Sequence, residues 1–197
     1  SFVSFAIGFE TTTPATALLI REAQCRRLDN PTVFCNHVLT LPAMHAILDS
    51  TVGSAEALLD GLIGPGHVSL ITGLAAYDSL VRSSGAGVVV AGFEPLDLLQ
   101  AILLLVRQVN AGQPQVENQY RRAVTAQGNM IARQMIEETF ALRPEFAWRG
   151  LGTLPHSAWR IRDSLAAFDA EQRFAMVPLT TPEPRGCACP DVLRGRT

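Results

Sequence analysis

Apolar runs of strand length alternate with longer segments of helical periodicity over the first 110 residues. The apolar runs are residues 2–7, 32–36, 58–63 and 87–91, and the helical patterns cover 14–28, 42–49, parts of 69–84, and 95–109. Nearly continuous apolar strands that alternate with helices are typical of a parallel sheet covered on both faces. The pattern therefore predicts an α/β fold: an open, mostly parallel sheet with helices on both faces.

The pattern changes beyond residue 110. A polar connector near 111–125 precedes a predicted helix at 126–142, and residues 146–168 have the short apolar runs and turn residues of returning strands. A helix at 164–176 is the last firm element, because Pro, Thr and Gly dominate afterwards. We therefore predict an α/β domain over residues 1–175 and an irregular C-terminal tail over 176–197.

Polar residues follow each of the four predicted strands. The loops have the sequences GFETTTP (8–14), NHVLTLP (36–42), GPGHVS (64–69) and GFEPLD (92–97). Right-handed crossovers place such loops at the carboxyl edge of one sheet, where ligands of open α/β sheets bind. We expect the loops to converge on one crevice, with candidate residues Glu10, Thr11, Thr12, Asn36, His37, His67, Ser69, Glu94 and Asp97.

Helix capping is the alternative role for some of these residues. Thr13-Pro14 has the form of an N-cap followed by Pro at the first helical position, and Glu94-Pro95 repeats the pattern. Capping accounts well for Glu94. One cap does not need three consecutive hydroxyls, so Glu10, Thr11 and Thr12 remain open between capping and a binding or catalytic site.

Two further motifs are weaker. GPGHVS matches part of the dinucleotide fingerprint, but Pro65 removes a backbone donor and the loop follows the third strand, so only binding of a simpler anion stays open. Cys35 and His37 lie two apart and face the same side of an extended strand, which suits a metal or nucleophile pair as well as a buried, packed cysteine. From the residues alone, a small-molecule or phosphate-binding α/β enzyme is one candidate.

Composition excludes several classes of function. The net charge is −2, all 16 basic residues are Arg, and no basic run exceeds two residues, which argues against nucleic-acid binding. No stretch has the roughly 18 apolar residues of a membrane span, and the first residues lack the features of a signal peptide, so we expect a soluble, cytoplasmic protein without membrane contact.

The four cysteines do not form a dense disulfide framework. Cys187-Ala-Cys189, in the tail, suits a metal or thiol-redox role.

Taken together, the loop motifs resemble the HypD family of hydrogenase maturation proteins over essentially the whole chain. The segments that carry the resemblance are GFETTTPATALL, CNHVLTLPAM, GPGHVSLITG, VVVAGFEPLDLLQAILLLVRQ, VENQYRRAVT, WRGLG and CACPDVLRG. The resemblance implies a scaffold on which iron bearing cyanide and carbon monoxide is assembled with HypC, while HypE supplies cyanide. It also implies a [4Fe-4S] cluster that provides electrons, and it leaves open whether the protein is an enzyme.

The chain departs from the family pattern in its cysteines. The family's N-terminal Cys-Gly-Thr-His and Gly-Pro-Gly-Cys-Pro-x-Cys motifs, expected to hold iron and perform thiol redox chemistry, are absent, and only the first two C-terminal cysteines are present. The resemblance thus implies a piece centred on the second α/β domain of HypD, which forms the wall of the site. It implies catalytic roles for Glu10, Thr11, Thr12 and His67, cofactor contacts from Asn36, His37, Ser69 and Glu94, and cluster ligation by Cys187 and Cys189, with an incomplete cluster.

Overall fold

The computed structural model describes residues 2–49, 59–174 and 186–193. The helices and strands of these residues follow one another as β1 (Phe2–Gly8), α1 (Thr13–Cys25), β2 (Pro31–His37), α2 (Thr40–Asp49), β3 (Gly61–Pro65), α3 (Gly66–Thr72), α4 (Asp78–Ser84), β4 (Gly87–Ala91), α5 (Pro95–Ala111), β5 (Val116–Asn118), α6 (Met130–Thr139), β6 (Phe140–Leu142), β7 (Glu145–Trp148), β8 (Gly152–Pro155), β9 (Trp159–Ile161), α7 (Ala170–Arg173) and α8 (Cys189–Leu193). Two 3-10 helices, Ala75–Tyr77 and Asp163–Phe168, complete the described elements.

The chain forms two compact units. The first unit combines Ser1–Leu39 with Ile131–Leu193, and the second is essentially the continuous segment Thr40–Met130. The first unit is therefore discontinuous in sequence, because the chain leaves it after β2 and returns at α6.

The first unit is built on β1 and β2, which pair in parallel from Phe2↔Pro31 to Gly8↔His37. Helix α1 lies against this pair and buries Ala17, Ile20 and Ala23. Returning segments cover the outer edge of β2, where the Cys35 thiol donates a hydrogen bond to the Trp159 carbonyl. Two antiparallel pairs, β6 with β9 and β7 with β8, complete the unit.

The second unit has three layers. Its sheet is parallel with the order β3-β4-β5, and the central strand is fully buried. Side chains alternate across β4, so Val88 and Val90 pack with Leu80 of α4 on one face, while Val89 packs with Ala101 of α5 on the other. This burial on both faces explains why the strand consists almost entirely of valine.

The predicted fold class is confirmed, since the protein is a mixed α/β structure with parallel sheets flanked by helices. The prediction that all four loops share one sheet edge is wrong. The loops after β1 and β2 belong to the first unit and those after β3 and β4 to the second, in separate sheets. Alternating strands and helices have the same local pattern whether they form one sheet or two. The predicted boundary between 175 and 176 falls outside the described residues and stays a prediction.

Three elements differ from the sequence expectation. The polar connector contains β5, which pairs with β4 and forms an edge strand, where polar residues are tolerated. The predicted helix at 126–142 is shorter, because Phe140–Leu142 pairs with Trp159–Ile161 and Phe140 becomes fully buried as part of a strand. The last helix at 164–176 is a 3-10 helix followed by α7, and the tail contains the short helix α8.

In the described ranges we find no helix with both the length and the apolar character needed to cross a bilayer.

Candidate functional site

The turn between β1 and α1 is closed by hydroxyl groups. The Thr12 backbone N–H, the Thr12 hydroxyl and the Thr13 hydroxyl all donate to the Phe9 carbonyl, at 3.1, 3.0 and 3.1 Å. The N-cap residue is Thr12, which has helical dihedral angles and no side-chain capping bond. The prediction of a Thr13 N-cap is therefore wrong. The hydroxyls bond backwards to the tight turn, and they do not accept from the first N–H groups of the helix.

Gly8 makes this turn possible. Its φ is +133°, a value that L side chains rarely adopt, and a Cβ at this position would lie 2.4 Å from the Thr12 hydroxyl oxygen. Glycine therefore leaves space for the Thr12 side chain to pack against the end of β1.

His37, at the end of β2, contacts the turn and the start of α1 through its two ring nitrogens. The ring is 1% exposed, with Nε2 2.8 Å from the Thr16 hydroxyl and Nδ1 3.4 Å from the Thr12 hydroxyl. Because the single Thr12 hydroxyl proton goes to Phe9, Thr12 accepts from Nδ1–H, and Nε2 accepts from Thr16. Burial lowers the pKa of His37, and a hydrogen bond with the Gly8 backbone partly offsets this effect. His37 is therefore a neutral, fully engaged imidazole.

Glu10 is the unusual residue of the turn, since its carboxyl group is buried while its neighbours are not. Glu10 is 4% exposed, whereas Thr11 is exposed and Asn36, at the adjacent strand end, is half-buried. The three hydroxyls thus have different roles. Those of Thr12 and Thr13 close the turn, whereas Thr11 is an exposed residue.

The β7–β8 hairpin brings the tail cysteines to the same unit. Trp148 lies against Phe9 of the turn, with ring centroids 6.2 Å apart, and the neighbouring Arg149 Nη2 donates to the Cys187 thiol at 3.3 Å. Hydrogen bonds with Cys189, and to a smaller extent with Arg149, lower the pKa of Cys187. The hydrogen bond between the two cysteine side chains raises the pKa of Cys189. In the sequence, Trp148 and Arg149 belong only to the WRGLG segment of the family resemblance, and no role was predicted for either residue.

In the second unit, His67 and Ser69 both lie in the first turn of α3, where the sequence predicts a loop over 64–69, and their side chains have different roles. His67 is exposed and lies on the Phe93 ring, with centroids 4.2 Å apart. Ser69 is fully buried, and its hydroxyl bonds the Pro65 carbonyl at 2.8 Å and the Tyr77 hydroxyl at 2.9 Å. The Ser69 side chain is therefore used inside the fold, whereas His67 is accessible.

Glu94 caps α5, as the sequence favours. It forms a capping box with Asp97, whose side chain accepts from the Glu94 N–H at 3.4 Å. Arg122 binds both carboxylate oxygens of Asp97, and Gln119 donates to one of them at 2.7 Å. These bonds hold the pKa of Asp97 well below its usual range. Arg122, which sequence reasoning missed, ties the loop after β5 to the start of α5.

A [4Fe-4S] cluster takes four thiolate ligands, and the four cysteines of the described segments have different surroundings. Cys187 and Cys189 contact each other, but Cys35 is buried, bonded to Trp159, and desolvation raises its pKa to about 11. Cys25 is exposed on α1. Within 2–49, 59–174 and 186–193, no three His, Cys, Asp or Glu side chains are grouped to bind a metal.

Comparison with known proteins gives a consistent result. The family described as "HypD: Hydrogenase formation hypA family" matches residues 1–197. Hydrogenase expression/formation protein HupD of Azotobacter chroococcum is 57% identical over 194 residues, which are 98% of this chain and 51% of the relative. Hydrogenase maturation factor HypD of Azotobacter vinelandii has the same identity and coverage. The corresponding Escherichia coli factor is 38% identical over 98% of this chain and 51% of its own length.

The chain therefore spans about half the length of the curated relatives that it matches. The identity is well above 30% across nearly all of its residues, and the family match covers the whole chain. This chain belongs to the HypD family of hydrogenase maturation factors.

Proposed function

We propose that this chain acts in nickel-iron hydrogenase maturation by forming one wall of the site where iron bearing cyanide and carbon monoxide is assembled. Iron is the cargo in this proposal, and the ligands that hold it come from the part of a full-length family member outside residues 1–197. HypC and HypE are the proposed partners, and the cytoplasm is the proposed location. Family membership over the whole chain supports the general role.

The observation that carries the specific role is the buried carboxyl group of Glu10 in a turn that cannot easily rearrange. Three hydrogen bonds to the Phe9 carbonyl fix the turn, and His37 contacts the Thr12 hydroxyl. In this proposal the Glu10 carboxyl group serves as a proton acceptor, and the exposed Thr11 side chain donates a hydrogen bond to polar ligands such as cyanide. Such groups orient ligands and move protons without binding the metal themselves.

We also propose that Cys187 and Cys189 supply two of the four ligands of a [4Fe-4S] cluster in the full-length protein. Their adjacency and the hydrogen bond from Arg149 to Cys187 suit thiolate ligation. When bound, the cluster supplies electrons. The chain's own contribution is to hold the two sulfurs beside a guanidinium that compensates their negative charge.

The role of Glu10 is testable in a full-length family member purified with HypC under anaerobic conditions. Glu10→Gln keeps the size of the side chain but removes its charge, and the matched control is Glu22→Gln, on the exposed side of α1. Iron content and the infrared bands of bound cyanide and carbon monoxide report assembly. We expect iron retention to weaken about 10-fold or more in Glu10→Gln, as is typical when a supporting residue of a metal site is removed. Unchanged iron and infrared bands would contradict the proposed role.

A second measurement separates the wall from the metal ligands. Iron and acid-labile sulfide are determined for residues 1–197 and for the full-length form, both purified anaerobically. Metal in the full-length form alone supports the proposal. Stoichiometric iron in residues 1–197 would mean that Cys35, His37, His67 or the tail cysteines bind iron directly, and the assigned roles would be wrong.

A further inference from the structure

The tip of the β7–β8 hairpin is held in place by two contacts of one side chain. The Trp148 ring lies against the Phe9 ring, with centroids 6.2 Å apart, and the Trp148 Nε1–H donates to the Ser157 hydroxyl at 2.8 Å. Ser157 is fully buried, and its own hydroxyl proton goes to the Leu154 carbonyl at 2.9 Å. Arg149 directly follows Trp148, so its side chain extends from a fixed point of the backbone.

Arg149 reaches from this tip to the cysteines of the tail. Its Nη2 donates to the Cys187 sulfur at 3.3 Å, across 38 positions of sequence, and Cys187 in turn contacts Cys189. A guanidinium group is always charged in proteins, is more weakly hydrated than an ammonium group, and forms strong charge-assisted hydrogen bonds. A permanent positive charge therefore lies beside the two sulfurs that we propose as cluster ligands.

A cation in this place acts above all on the reduction potential. Hydrogen bonds to the sulfurs, the net charge and the solvent exposure together determine the potential of an iron–sulfur cluster. Reduction adds one negative charge to the cluster and its thiolates, and a nearby positive charge attracts the more negative form more strongly. The Arg149 guanidinium thus stabilises the reduced form more than the oxidised form.

We propose that Arg149 is a positioning residue that raises the reduction potential of the cluster held by Cys187 and Cys189. This inference rests on the proposed ligation by these two cysteines. Arg149 acts through a ligand sulfur and does not contact iron, and the contacts of Trp148 keep its guanidinium at that sulfur. A guanidinium that only anchored the tail would affect stability and leave the potential unchanged.

A redox titration followed by electron paramagnetic resonance, on a full-length family member purified anaerobically, tests this role. Arg149→Gln removes the charge, Arg149→Lys keeps the charge without the planar fork, and the control Arg26→Gln removes an exposed guanidinium that pairs with Glu22 on α1. We expect Arg149→Gln to lower the ratio of reduced to oxidised cluster at a given potential about 10-fold, which is about 59 mV for a one-electron couple. Arg149→Lys should cause a smaller decrease and Arg26→Gln none. An unchanged midpoint in Arg149→Gln would overturn the inference.

The unsubstituted protein offers a second measurement, which stays decisive if Arg149→Gln does not fold. In protein labelled with nitrogen-15 arginine, pulsed electron paramagnetic resonance of the reduced cluster should detect a coupling to a guanidinium nitrogen. The coupling should disappear in Arg149→Lys. A coupling that is absent from the unsubstituted protein, or that persists in Arg149→Lys, would overturn the inference.

The ligation itself is tested separately. Cys187→Ala and Cys189→Ala should each lower the iron and acid-labile sulfide content of the full-length protein. Full cluster content in both variants would contradict the proposed ligation and, with it, the role of Arg149. An intact cluster whose potential does not depend on Arg149 would overturn only the inference about Arg149.

Discussion

Gly8→Ala is the sharpest test of how the turn after β1 is built. The added methyl group meets two obstacles: the positive φ of +133°, and the Thr12 hydroxyl oxygen 2.4 Å from the new Cβ. Thr12 relieves the contact only by moving, which costs its hydrogen bond to Phe9. The substitution therefore changes the backbone and the hydroxyl network together.

Each effect has its own magnitude. Holding a non-glycine residue in this region of φ costs about 1–3 kcal/mol. A hydrogen bond such as that from Thr12 to Phe9 contributes about 0.5–1.5 kcal/mol. We expect Gly8→Ala to reduce the free energy of unfolding by about 2–4 kcal/mol, of which only the hydroxyl part depends on Thr12.

Urea unfolding, followed by circular dichroism, measures these terms when Gly152→Ala serves as the control. Gly152 lies in the same unit with a φ of +80° and no atom near its missing Cβ, so its substitution reports backbone strain alone. In a Thr12→Ala background the hydrogen bond to Phe9 is already absent. Gly8→Ala should therefore reduce the free energy of unfolding by about 1 kcal/mol less in that background than in the unsubstituted protein. The reasoning is refuted if Gly8→Ala costs no more than Gly152→Ala, or if its cost is the same with and without Thr12.

Two further predictions concern titration and thiol reactivity. Because burial lowers the pKa of folded His37, the unfolded chain binds more protons. Its contribution to stability is therefore present above the ordinary histidine pKa, about 6.5, and is lost as the pH falls towards the folded pKa. Unfolding free energies measured across this range should fall less steeply in His37→Gln than in the unsubstituted protein. Alkylation followed by mass spectrometry should label Cys187 well before Cys35, whose pKa is about 11, and Arg149→Gln should slow labelling of Cys187. Equal labelling rates of the two thiols would contradict this order.

Local pattern predicted the elements of the first 110 residues well. The valine run of β4 and the Pro95 start of α5 have strong local signals, and both elements appear where periodicity places them. Glu94 as a cap also follows from local chemistry, because the Glu94-Pro95 junction and Asp97 three residues later have the spacing of a capping box.

The division into two sheets could not be predicted in this way. It depends on contacts between residues far apart in sequence, such as the bond from Cys35 to Trp159, which no local period encodes. The same holds for the site. Arg149 contacts Cys187, and Arg122 contacts Asp97, because distant segments of the chain return to each other. From the sequence alone, both arginines are indistinguishable from ordinary surface residues.

The discontinuous first unit has a consequence for synthesis on the ribosome. After β2 emerges, about 90 residues of the second unit follow before α6 and β9 are available to cover it. At about 5–20 residues per second, the buried strand with Cys35 and His37 waits several seconds without its final neighbours. The continuous second unit is complete before the first can close, so the second unit is expected to fold before the first during synthesis.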